Sequence, residues 1–197
     1  MRKKDFYKRN KSLIIISIIF ILFVVLGACL NKIDSSNLNN MAKQIDEINA
    51  YYNGNVNKKD FIFKNIKEYI RYLGSIGILT LFFFTYPLAI LVFIVKAMSI
   101  GYTINTSIIL LGLSSFKMCI IVFLKNIIIV PMSIILIELS IGYIKSVYKQ
   151  LKKKRQDSIV SLGKEFVLKL LIIMCASIIL QSIFNIISIT IIQFLAR

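Results

Sequence analysis

"FLKNIIIVP", residues 123–131, lies inside a 27-residue run (118–144) that is otherwise almost wholly apolar. The stretch sets Lys125, Asn126 and Pro131 where a membrane helix has most reason to exclude them. Pro131 has no N–H to offer the carbonyl of Ile127, so a helix through it kinks or breaks. Broken backbone at membrane depth is tolerated only where protein or water covers it. The stretch is therefore expected to face other helices, with Asn126 placed to satisfy freed backbone groups. A segment of this kind belongs to a bundle of membrane helices, and its own helix is kinked or re-entrant.

The rest of the chain agrees. Of 197 residues 57% are apolar and the mean hydropathy is +0.78, above the 45–50% usual in soluble domains. Five runs reach the roughly 17–25 residues needed to cross a bilayer: 12–30, 73–95, 98–116, 118–144 and 166–195. Only Lys96 and Ala97 part the second from the third, and only Lys117 parts the third from the fourth, so tight hairpins are expected there. The result is a single all-α polytopic membrane domain over 1–197.

Orientation follows from basic residues, 25 Lys and Arg against 9 acids. The tail 1–11 carries six of them and the segment 145–165 seven, whereas 31–72 dilutes its seven with five acids. Five crossings put both dense segments on one side, which the positive-inside tendency makes cytoplasmic. The loop 31–72 and the C-terminus then lie outside. Lys152, Lys153, Lys154 and Arg155 are expected to touch anionic lipid, or else to dock a cytoplasmic factor. No aromatic-basic module of the nucleic-acid-binding kind is present.

Within the outer loop, 61–73 sets Ile62, Ile66, Tyr69, Ile70 and Leu73 at helical spacing. This suits an amphipathic helix on the outer surface or a plain extension of the second span. "LGAC" at 26–29 resembles a lipoprotein cleavage box, but the preceding apolar run exceeds the usual signal core. Small residues ending a packed span explain it better. Polar faces recur at Ser99, Thr103 and Ser107, and at Ser177, Gln181, Asn185 and Ser188. Helix packing through interhelical hydrogen bonds accounts for them; a water-filled path would also want such stripes.

Catalytic signatures are missing. Without histidine there is neither HExxH zinc chemistry nor Ser-His activation, and no phosphate-binding glycine loop occurs. Apart from Glu165 at a rim, Glu138 is the one carboxylate within an apolar run, so no carboxylate pair is at hand. No cofactor or metal is called for. Lys125 and Glu138 would stand ~20 Å apart on one helix, able to snorkel towards opposite faces. Cys29, Cys119 and Cys175 lie in three separate apolar runs, which suits no disulfide framework.

Across residues 93–131 stand "VKAM", with Lys96, then "IGYT", with Gly101 and Thr103, then Gly112 at a turn, and "FLKNIIIVP", with Asn126 and Pro131. In these motifs the chain resembles the stage II sporulation protein M family, a likeness that covers most of the chain from the first span to the last and is sharpest here. The family's lysine-glycine-phenylalanine step keeps Lys96 and its glycine-phenylalanine-threonine step keeps Gly101 and Thr103, while Leu124 and Lys125 replace its first proline and its glutamine. The resemblance implies a non-enzymatic scaffold of the engulfment machinery, associated with a membrane-anchored peptidoglycan lytic transglycosylase and an amidase/endopeptidase. The competing expectation is a transporter or permease-like channel subunit with a midplane site near Lys125, Asn126 and Pro131, since broken helices flank many such sites.

Overall fold

The computed structural model describes residues 3–30, 58–111, 115–152 and 157–196, and within them the side-chain surroundings of 11–30, 62–109, most of 119–152 and 159–185. Six helices make up the described chain: α1 (Lys3–Leu30), α2 (Lys58–Leu81), α3 (Tyr86–Leu111), α4 (Ser115–Asn126), α5 (Ile129–Lys152) and α6 (Asp157–Ala196). A short 3-10 turn, Phe83–Thr85, joins α2 to α3. Among the described residues four segments are long and apolar enough to cross a membrane: Lys11–Leu30, Phe83–Ile109, Val122–Lys152 and Ile159–Asn185. The chain is an all-α polytopic membrane protein.

Neighbouring side chains fix the helix directions. Phe20 meets Phe93 with ring centroids 5.2 Å apart, and Ala28, further along α1, accepts a hydrogen bond from Asn105, further along α3. These two helices therefore run parallel. Gly77 packs on Leu170 and Gly74 lies near Met174, so α2 and α6 are antiparallel. Glu68 of α2 reaches Lys96 of α3 across the Phe82–Thr85 turn and Thr80 of α2 lies beside Ser140 of α5, so among the described helices α1, α3 and α6 run one way and α2 and α5 the other.

Helix α2 occupies the centre, which its sequence disguises. Lys64, Lys67, Glu68 and Arg71 give its first half a surface-helix look. Yet Asn65, Tyr69, Tyr72, Leu73, Ile76 and Thr80 are all buried, a stripe at steps of three and four against α3, α5 and α6. A helix lying flat on the outer surface is thus not what 61–73 forms. It continues unbroken into Leu81, as the plain extension would, because both halves share one buried face.

The break between the second and third passes also moves. The apolar pattern puts a hairpin at Lys96–Ala97; the structure turns at Phe82–Thr85 and keeps 86–111 as one helix. Pro87 is the physical reason, since it cannot donate to a preceding turn and is well accommodated in the first turn of a helix. Thr85 secures the corner, its N–H on the Phe82 carbonyl at 2.9 Å and its hydroxyl on the Leu79 carbonyl at 2.6 Å. The segment 145–165 is likewise helical over 145–152 and 157–165: no proline or glycine stops α5 before Lys152.

The long apolar run does break where its proline demands. Helix α4 ends at Asn126, two residues turn, and α5 starts at Ile129 with Pro131 in its first turn. The stretch does not face wholly inward, however. Ile129 and Val122 are buried, while Phe123 and Pro131 are exposed, because a helix turns each face outward in succession.

Candidate functional site: a polar seam around α2

Three polar contacts join helices here, two of them made by α2. In the first, Lys96 of α3 reaches Glu68 of α2, Nζ to Oε1 3.0 Å, and stands 5.6 Å from the centroid of the Tyr72 ring. The Lys96 side chain is only 18% exposed and Glu68 41%. A lysine that looks like a hairpin link is therefore a paired charge within a helix, further stabilised by the aromatic face. Tyr72 is buried with its hydroxyl beside Ser133 of α5, outside hydrogen-bond geometry. Ser133 donates to its own Val130 carbonyl at 2.7 Å.

In the second, Thr80 of α2 and Ser140 of α5, both fully buried, lie 3.1 Å apart, oxygen to oxygen. In the third, near the basic end of the bundle, Ser12 of α1 donates to Glu138 of α5 at 2.8 Å. Glu138 thus has a hydroxyl partner on another helix.

The helix break adds a fourth feature. Asn126 Nδ2 donates to the Val122 carbonyl at 2.7 Å, closing the last turn of α4, and Met132 N–H reaches the Ile128 carbonyl at 3.3 Å as α5 begins. Asn126 does satisfy a backbone acceptor, but that of Val122 rather than Ile127. Its Oδ1 is buried with no hydrogen-bond partner among the described residues. On α6, Ser177, Gln181 and Asn185 share a buried face, with Gln181 Nε2 donating to Asn185 Oδ1 at 3.0 Å. Ser188 lies outside the described side chains.

A different element of the resemblance acts through shape. Gly101 of α3 and Gly27 of α1 bring two backbones together: a Cβ on Gly101 would sit 1.8 Å from the Val24 carbonyl oxygen, and one on Gly27 2.1 Å from that of Met98. Asn105 Nδ2 donates to the Ala28 carbonyl at 2.8 Å across the same crossing. So the Gly-Ala of "LGAC" is used in packing, as small residues commonly are between membrane helices. The Thr103 hydroxyl bonds back to the Ser99 carbonyl of its own helix at 2.8 Å.

Of the residues singled out from sequence, the structure brings Lys96 to Glu68 and Gly101 to α1, and gathers Ser177, Gln181 and Asn185 on one buried face. Lys152 is exposed at the end of α5; Gly112, Lys153, Lys154, Arg155 and the Lys125 side chain lie outside the described residues. Glu68, Tyr72, Thr80 and Ser140 were not legible as partners. Pro87 was the available signal, since moving the break to it leaves Lys96 inside a helix and in need of an acid.

Among the described residues no three His, Cys, Asp or Glu side chains gather to hold a metal. Comparison of the chain with protein-family models, curated proteins and solved structures finds no match.

Proposed function

We propose that this chain is a non-enzymatic membrane scaffold of the engulfment machinery of a sporulating bacterium. It would hold a membrane-anchored peptidoglycan lytic transglycosylase and an amidase/endopeptidase at the septal or engulfing membrane. In this reading the N-terminus is cytoplasmic and the C-terminus outside. The reading draws its partners from the resemblance to the stage II sporulation protein M family. The observation that supports it is how residues of that resemblance are used: Lys96 pairs with Glu68, Gly101 sets a helix crossing and Pro131 starts a helix. Each fixes the shape of the bundle, as a scaffold requires.

The test is co-purification from detergent, with tagged chain as bait and both hydrolases expressed beside it. Recovery of both with the intact chain, and loss of both when Gly101 is replaced by leucine in a variant that still inserts, supports the scaffold. Purification of the chain alone, together with solute or ion flux in proteoliposomes, supports a transporter or channel subunit. One observation favours that second reading: the unpartnered Asn126 Oδ1 beside a helix break.

A further inference from the structure

At the end of the bundle that carries the basic segment, α2 stops at Leu81 while α5 and α6 continue past it. The step leaves a hollow of about 510 Å³, whose lining includes Leu81, Val160, Gly163, Lys164, Leu168 and Leu171. The walls are apolar but for one charge, that of Lys164. Gly163 is part of the lining, and a Cβ there would meet no atom closer than the Tyr143 hydroxyl at 3.8 Å, so the position has room for a larger side chain.

We propose that this hollow binds one anionic phospholipid of the adjoining leaflet, with its phosphate at Lys164 and an acyl chain along Leu168 and Leu171. Charge and shape both select that occupant. Leu168, Leu171 and Ile172 are 60%, 55% and 59% exposed, forming an apolar row on the face of a spanning helix, which hydrocarbon must cover. Exposed Lys145, Lys149 and Lys152 on α5 add positive potential at the same end. The nearby acid Glu165 is already paired with Lys169. Basic pockets between helices at this level are a known kind of site for anionic headgroups. The site differs from diffuse attraction to a basic segment in having an apolar lining and one headgroup ligand.

The full-length chain, purified in mild detergent, is titrated with phosphatidylglycerol or phosphatidylcholine of the same acyl chains, and bound lipid is counted by native mass spectrometry. One phosphatidylglycerol is expected to bind in preference to phosphatidylcholine. K164Q should weaken it about fivefold, the effect of one basic residue near the surface. Gly163→Leu should remove it by occupying part of the hollow, and K149Q should leave it within about twofold. Helicity and monodispersity confirm that each variant is folded. Equal binding of both lipids overturns the proposal. So does equal weakening by K164Q and K149Q, which marks diffuse attraction, or full retention of the lipid in folded Gly163→Leu.

Discussion

Two glycines decide at the residue scale how closely α1 and α3 approach. Alanine at Gly101 or Gly27 places a methyl within 1.8 or 2.1 Å of a carbonyl oxygen on the other helix, so the helices must separate. Each substitution is expected to cost about 1–3 kcal/mol, the usual range for overpacking. Gly142 has nothing within 4 Å of its Cβ position, and Gly142→Ala should be neutral or stabilising by up to ~1 kcal/mol from helix propensity. Unfolding in mixed micelles orders the three. The Lys96–Glu68 pair is a second residue-scale test. K96M and E68Q should each destabilise by about 1–2 kcal/mol, the strength of a hydrogen bond to a charged group discounted for the partial exposure of Glu68. The double variant should cost less than the sum. Strict additivity in the cycle would mean that the contact is energetically idle.

At the scale of elements, proline explains two departures from continuous helix among the described residues. Pro87 lies just beyond the Phe82–Thr85 turn, and Pro131 just beyond the break at 127–128. Neither can donate to the turn before it. P131A restores a donor for the Ile127 carbonyl and should let α4 and α5 merge. With Cys29 and Cys175 replaced by serine, spin labels at Cys119 and a cysteine at Leu139 should move apart towards the ~30 Å of a continuous helix. An unchanged distance would assign the break to tertiary contacts such as those of Asn126. Pro131 was readable from sequence because it stands inside an unmistakable apolar run. Pro87 is harder to read because apolar residues continue on both sides of it, and an apolar run records length, not direction.

For the molecule as a whole, the alternating helices carry a topological prediction. The described helices put Leu30 and Lys58 at one end of the bundle and Lys152 and Asp157 at the other. In a cysteine-free background, S36C should be labelled by an impermeant thiol reagent in intact cells, and S158C only after permeabilisation. Labelling of both from one side would overturn the orientation proposed above. The central position of α2 has a related consequence: its charged first half stands among other helices, with Lys96 on α3 supplying the opposing charge to Glu68. Among the described residues α2 is not one of the four segments long and apolar enough to cross a membrane, although it lies among those that are.

By itself the sequence determined that this chain is helical and membrane-embedded, that its run 118–144 is broken near Pro131, and that Gly27, Gly101, Ser177, Gln181 and Asn185 belong to packed faces. Those are properties of composition and local stereochemistry, which every residue carries wherever the chain goes. Only the tertiary structure decided that α2 stands at the centre, that the second turn falls at Phe82–Thr85, and that Lys96 pairs with Glu68. A charge on a helix declares that it needs a partner, but which one it finds depends on the register and direction of helices far apart in the chain.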